Sequence, residues 1–258
     1  METRNALKEE SFDASSLTTF ENLTLPTPLT EERLPFKIKI AQTEDDLEKA
    51  IDIRRSAYAR HVPDLADLLR EPEDFDRDEG SVILLAESKL DGTTLGSMRI
   101  QTNRFQPLKL EASVILPPWL QHQPLSEAAR LGVAGNRMGK ITKILLFKSY
   151  FLYCVKERLD WMVITARSHV DKDYENLMFS DVFPESGYIP MKHDANIPHR
   201  VMAFHVPSAE SRWRAVNHPL YNLVFMTQHP DIDLSQTESQ FHMHKIPHST
   251  TARLPVMM

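Results

Sequence analysis

Glu127 and Arg130 stand three residues apart in the segment Ser126-Glu127-Ala128-Ala129-Arg130-Leu131-Gly132-Val133. A short basic turn with Gly135, Arg137, Gly139 and Lys140 leads from it into the apolar run Ile141 to Val155. A carboxylate in such a setting can take up a proton, directly or through water. A guanidinium presents paired donors, so Arg130 can hold an acidic side chain in place or fork onto the carboxylate of a small molecule. A turn that opens a helix favours anions, because the first N–H groups lack partners within the helix. Upstream, Arg54, Tyr58, the acidic segment Glu73-Asp74-Phe75-Asp76 and Arg99 supply further charge of both signs. Proton transfer beside a held anion is the chemistry these residue types can carry. An ion pair of Glu127 with Arg99 or Arg130 would use the same residues without any chemistry.

Positioning these groups takes a strand, a turn and a helix in that order. Glu127 to Val133 reads as a strand and Ile141 to Leu159 as the helix that covers it. Lys37-Ile38-Lys39-Ile40 alternates at period two, as a first strand does. Thr43 can cap a helix through Tyr58, with Leu47, Ile51, Arg54 and Tyr58 at helical spacing. Residues 60–80 read as an irregular, solvated acidic loop. Ser81 to Ser88 and Thr94 to Gln101 flank Asp91-Gly92, a hairpin signal. Trp161 to Ala166 reads as a short buried strand, Asp171 to Phe179 as a helix and Arg200 to Val206 as a strand. Short helices are expected around Trp213 and from Tyr221 to Met226, then a tail without pattern from Asp231. The polar first 35 residues read as a flexible arm. The expected division is an arm over 1–35, a main domain over 36–207, and a helical extension with its tail over 208–258.

Composition narrows the class. With 258 residues, 41% of them hydrophobic, the chain can bury one sizeable core. A net charge of -6 argues against a nucleic-acid partner, which would require an excess of Lys and Arg to neutralise phosphates. The single cysteine, Cys154, cannot form an internal disulfide, and within Tyr150-Phe151-Leu152-Tyr153-Cys154-Val155 it reads as a buried, inert thiol. No apolar run reaches the roughly 18 residues of a spanning helix and no signal pattern opens the chain, so a cytoplasmic protein is expected. Among the histidines, His193, His199 and His205 are loosely spaced and His242-Met243-His244 lies in the tail; none makes a zinc signature, so no metal is expected.

The element order resembles the GNAT acyltransferase fold, an α/β (α+β) arrangement with a mixed, mostly antiparallel central sheet and helices on both faces. Arg54 with Tyr58, then Glu73-Asp74-Phe75-Asp76, Gly96-Ser97-Met98-Arg99 and Glu127-Ala128-Ala129-Arg130, occur in the order and approximate spacing of acyl-homoserine-lactone synthases. Leu146-Phe147-Lys148, Trp161 to Ala166, Tyr174 to Phe179 and Gly187-Tyr188 are more similar to N-acyl amino acid synthases of the FeeM type, which share that fold. The resemblance covers residues 38–206. Glu73 and Asp76 stand for an Asp-x-x-Asp element, and neighbouring Asp74 and Asp78 leave its register open by a residue or two.

That resemblance implies an N-acyltransferase moving a long-chain acyl group from an acyl-carrier-protein thioester to the amine of an amino acid or similar small amine. Glu127, Arg130, Arg99 and Asp76 would then be catalytic. Arg54, Tyr58, Glu73, Leu131 and Val133 would meet substrate, and Arg137, Gly139, Lys140 and Lys143 would hold the donor or its carrier. Backbone N–H groups from Leu131 to Val133, opened by a strand bulge, would face the oxyanion. No cofactor is held permanently; the donor is an acyl-phosphopantetheine thioester, on carrier protein or coenzyme A. GNAT enzymes that use coenzyme A carry a Gln/Arg-x-x-Gly-x-Gly/Ala loop, which Arg130 to Gly139 only approximates, and this leans toward the carrier protein. Arg137, Lys140, Lys143 and Lys148 would form a landing patch for that acidic partner, or simply a solvated helix face. Leu145, Leu146, Phe147 and Phe151 either line an acyl slot or pack the core. His193 to His199 reads as a loop near the substrate entrance. A coenzyme-A-dependent GNAT acetyltransferase and a non-catalytic module that binds an acyl ligand or carrier remain open, as do the oligomeric state and peripheral contact with lipid.

Overall fold

The computed structural model of the chain describes Leu23 and residues 25–235. The rest of the expected arm and tail, with His242 and His244, lies outside the described residues. In chain order the elements are β1 (Thr30–Glu31), β2 (Phe36–Ile40), α1 (Glu44–Ala59), α2 (Pro63–Leu68), β3 (Ser81–Ser88), β4 (Thr94–Thr102), β5 (Leu125–Val133), α3 (Arg137–Glu157) and β6 (Trp161–Ala166). There follow α4 (Asp171–Asn176), β7 (Ser180–Asp181), β8 (Ile189–Met191), β9 (Ile197–His205), α5 (Ala209–Ala215), β10 (Thr227–Gln228) and β11 (Ile232–Asp233).

The main sheet runs β11-β2-β3-β4-β5-β6-β9-β7, with β8 beside β9. Its pairs are antiparallel except β11 with β2 and β5 with β6. The second parallel pair needs a crossover, and α3 supplies it. β3 shows why the sheet has two covered faces. Ile83 and Leu85 join Leu47, Ala50 and Ile51 of α1 in one core, whereas Val82, Leu84 and Ala86 join Leu146, Tyr150 and Phe151 of α3 in another. A strand buried on both sides reads as a continuous apolar run. This is the mixed sheet with helices on both faces that the sequence leads one to expect.

Caps set the helix limits. The Thr43 hydroxyl accepts the Asp46 N–H at 3.2 Å, so α1 starts where expected. α3 starts one turn before the expected Ile141, because the Asn136 side chain accepts the Gly139 N–H at 3.0 Å. α4 stops short of Phe179 because Met178 is left-handed, with φ 67, and the Phe179 N–H returns to the Tyr174 carbonyl at 3.0 Å.

Two expectations are overturned. Residues 60–80 are not a solvated loop, for they contain α2 and a 3-10 turn over Asp74–Asp76, and Asp76 is only 1% exposed. The segment from Asp231 is not patternless, since Ile232 and Asp233 pair with Ile38 and Lys39 of β2. The extension also enters the core. Trp213 stacks on Phe147, ring centroids 6.0 Å apart, and Phe225 meets Phe151 edge-on at 5.3 Å.

Candidate active site

The site begins with a fault in the ladder between β4 and β5. Arg99 faces Ala129, but Ser97 faces Gly132, so Arg130 and Leu131 together oppose Met98. Arg130 takes up the extra length with φ 57. A bulge of this kind bends the strand and re-aims its side chains. On the other edge, the ladder from β5 to β6 ends at Ala128 opposite Ile164. Past that point the two strands part around a cavity of about 500 Å³, lined among others by Tyr58, Ala129, Arg130, Leu131, Val133 and Thr165. Of the residues expected to meet substrate, Tyr58, Leu131 and Val133 line this cavity, whereas Arg54 and Glu73 do not. Gly132 lets α1 press against β5, because a Cβ there would lie 2.7 Å from the Arg54 Cα.

That approach assembles a buried charge cluster. Arg54 donates to both Asp76 oxygens, at 2.9 and 3.0 Å. Arg99 Nη1 donates to Asp76 Oδ1 at 3.1 Å and to Glu73 Oε2 at 3.0 Å. Arg130 forks onto Glu73 at 2.7 and 2.8 Å, donates to Asp194 Oδ1, and reaches the His193 carbonyl at 3.0 Å. Lys109 Nζ donates to Glu73 Oε1 at 3.0 Å. Burial alone would raise the Glu73 carboxyl, but the hydrogen bond from Arg130 and the charges of Arg99, Arg130 and Lys109 hold it well below the usual range. Asp76 and Asp194 are likewise held low against their burial, by Arg54 and Arg130 respectively. Arg54, Arg99 and Arg130 are thus engaged by carboxylates of the chain itself. The Asp-x-x-Asp-like element is Glu73 with Asp76, whose side chain accepts the Glu73 N–H at 2.9 Å.

Glu127 stands apart from this pairing. It is 1% exposed and makes no ion pair with Arg99 or Arg130. Its Oε2 accepts the Leu110 N–H at 3.1 Å, while Oε1 has no hydrogen-bond partner. The His193 Nε2 lies 3.8 Å from that oxygen, and both ring nitrogens of His193 are buried and unpartnered as well. Burial pushes the Glu127 carboxyl up to about 7 and the His193 imidazole down to about 4. Between those values both groups are uncharged, so they do not form an ion pair. Uncharged, each group carries one proton and one free acceptor, a carboxyl oxygen on Glu127 and a ring nitrogen on His193, and neither is hydrogen-bonded to the other. Glu127 does not line the β5–β6 cavity itself; it immediately precedes Ala128, which does.

At the proposed donor end, Arg137 and Lys140 are exposed on the first turn of α3. Lys143 lines the cavity and pairs with Asp173 at 2.7 Å. Gly139 is glycine for packing: a Cβ would fall 1.8 Å from the Ala134 carbonyl oxygen, and its N–H already goes to Asn136. Lys148 is no part of a landing patch. It is 2% exposed and donates to the Leu223 and Thr227 carbonyls and to His229. Leu145, Leu146, Phe147 and Phe151 lie in the main core. Cys154 is buried beside Ser126, Sγ to Oγ 3.2 Å, and burial pushes its thiol up.

The sequence does not single out Lys109, and it gives His193 and Asp194 only as part of a loop from His193 to His199 near the substrate entrance. Asp194 meets Arg130 across 64 residues of chain, and no local pattern announces that contact. Among the described residues, no cluster of three His, Cys, Asp or Glu side chains could hold a metal ion, and no helix is long and apolar enough to cross a membrane.

No family model matches the sequence, and no curated protein matches it. Among solved structures, FeeM, an N-acyl amino acid synthase from uncultured soil microbes, is similar with a TM-score of 0.55 and 15% identity, over 73% of this chain and 97% of that one. BjaI, a CoA-dependent acyl-homoserine lactone synthase, gives a TM-score of 0.49 at 15% identity over 79% and 96%. An acyl-CoA N-acyltransferase from Pseudomonas aeruginosa gives 0.45 at 16% identity over 66% and 99%. At such identities the likeness is one of fold, and the chain has the fold of FeeM.

Proposed function

We propose that this chain is an acyltransferase that moves an acyl group from a thioester to an amine, with the donor in the β5–β6 cavity and the amine at Glu127 and His193. The observation that carries the proposal is the unpartnered Glu127 Oε1, buried beside the unpartnered His193 ring, on the strand whose edge opens the cavity. An incoming ammonium brings N–H donors to the ionised Glu127 carboxylate and to the one ring nitrogen of neutral His193 that carries no proton. A carboxylate whose pKa lies near 7 can take a proton from that ammonium at neutral pH. The amine lone pair then attacks the thioester carbonyl, and backbone N–H groups between Leu131 and Val133 hold the oxyanion beside the bulge. Collapse breaks the C–S bond, the second proton on the attacking nitrogen passes to the departing thiolate, the first is released from Glu127 to water, and the amide and the free thiol remain. No covalent acyl-enzyme is needed.

The donor fits the strand edge. Past Ala128, β5 has no ladder to β6, so an extended, amide-bearing arm such as pantetheine can pair there as an added strand. In the finer form of the proposal, a long acyl chain arrives on an acyl carrier protein and the acceptor is an amino acid. Exposed Arg137 and Lys140 then meet the acidic carrier. The Arg54, Arg99, Arg130, Glu73 and Asp76 network acts as the rigid frame, with Asp194 and Lys109 completing it.

Thiol release measured with a dodecanoyl carrier thioester, dodecanoyl-coenzyme A and acetyl-coenzyme A, each with amino acids present, tests this proposal. Fastest release from the carrier thioester supports it. Fastest release from acetyl-coenzyme A moves the assignment to an acetyltransferase, and no release from any donor contradicts acyl transfer.

A further inference from the structure

A second cavity, of about 530 Å³, is lined by α3, the N-terminal segment, the extension and the strands β10 and β11, and it shares no lining residue with the β5–β6 cavity. Its volume falls within the roughly 300–1,000 Å³ of small-molecule sites. Leu25 and Pro26 of the N-terminal segment, Phe151 and Leu152 of α3, and Phe225 of the extension give it apolar walls. Lys148 and His229 also line it.

The polar pair has an unusual arrangement. Lys148 is 2% exposed, and its ammonium donates to the Leu223 carbonyl at 2.8 Å, to the Thr227 carbonyl, and to His229 Nδ1 at 2.8 Å. An ammonium has only donors, so Nδ1 accepts and the ring proton sits on Nε2. That Nε2–H is buried and has no acceptor, in a side chain only 5% exposed. Glu32 attracts the ammonium electrostatically, but no carboxylate among the described residues forms an ion pair with it. A buried cation is costly unless an anion compensates it. Here the cation is hydrogen-bonded to an imidazole that lines the cavity and keeps one unused donor. A carboxylate accepting that N–H would satisfy the donor and balance the ammonium behind it, while an aliphatic tail would lie against Phe151, Leu152 and Phe225.

We propose that this cavity binds an aliphatic carboxylate, with the head group on His229 Nε2–H and the tail along α3. A free fatty acid and an N-acyl amino acid share that chemistry. The binding stands independently of acyl transfer; if the transfer proposed above holds, the site would sense its product.

Calorimetric titration of the full-length protein with dodecanoate, N-dodecanoylglycine and dodecanol tests the proposal. Both carboxylates are expected to bind at least tenfold more tightly than dodecanol, and the tighter of the two identifies the source. His229→Phe is expected to remove that tenfold preference, whereas His229→Gln, which keeps an N–H donor, retains it. Leu152→Trp, which fills the chamber from a half-buried position, is expected to abolish binding of all three while circular dichroism shows a folded chain. Binding of dodecanoate that survives both His229→Phe and Leu152→Trp places it elsewhere and overturns the proposal. So does equal affinity for dodecanol, or the absence of binding. Because no turnover is measured, failure here leaves the acyltransfer proposal standing, and the reverse also holds.

Discussion

Replacing Glu127 by Gln separates a working carboxylate from a structural one, because the two roles predict opposite changes in stability. The Glu127 carboxyl moves from its ordinary 4.5 to about 7 on folding, driven first by burial. Between those values the folded chain holds a proton that the unfolded chain has lost, so this group's contribution to stability falls as pH rises, and the loss is complete above 7. At about 1.4 kcal/mol per unit, the cost of carrying the ionised side chain at pH 8 is about 3 kcal/mol. Gln stays neutral throughout and its carbonyl can still accept the Leu110 N–H. Glu127→Gln is therefore expected to match the wild type below pH 4.5 and to exceed it by about 3 kcal/mol at pH 8, read by urea unfolding at both pH values. Turnover is expected to fall by about 10²-fold or more, the usual scale of general-base loss. A variant less stable than the wild type at pH 8, as removal of an ion pair would make it, refutes the argument. Unchanged turnover refutes the catalytic half alone.

Other perturbations test the frame and the donor end. Asp76→Asn leaves Arg54 and Arg99 short of a buried counter-charge and is expected to cost about 3–5 kcal/mol, measured by thermal or urea unfolding. Gly139→Ala would drive a methyl group into the Ala134 carbonyl, and a lowered Tm with weakened helical circular dichroism is the expected result; a neutral effect would mean that the α3 turn is looser than described. Arg137→Glu combined with Lys140→Glu is expected to raise KM for a carrier-borne donor several-fold with little change for the same acyl group on coenzyme A. Equal changes for both donors would tie these side chains to phosphate instead of the carrier's surface.

What the sequence revealed was local. Alternation at Lys37 to Ile40, the Asp91-Gly92 turn and the Thr43 cap each depend on neighbours within a few residues, and each corresponds to an element in the structure. The strand bulge was expected beside the active residues and lies at Arg130 and Leu131. Long-range pairing was not legible. Glu71 to Gly80 looks solvated because acidic runs usually are, yet Glu73 and Asp76 turn inward to arginines distant in the chain. Spacing could not show what Arg130 touches, whereas the structure gives it four hydrogen bonds, to Glu73, Asp194 and the His193 carbonyl, at the edge of the cavity. Lys148 reads as part of a basic helix face only while the extension that buries it is ignored.

The central claim is that an amine and an acyl thioester meet at Glu127. Mass spectrometry of the purified protein incubated with a dodecanoyl thioester and a ¹⁵N-labelled amino acid tests it most directly. The account predicts the labelled N-acyl amide and free thiol in equal amounts, both lost in Glu127→Gln. Thiol without amide, or bound thioester that yields neither, would contradict it.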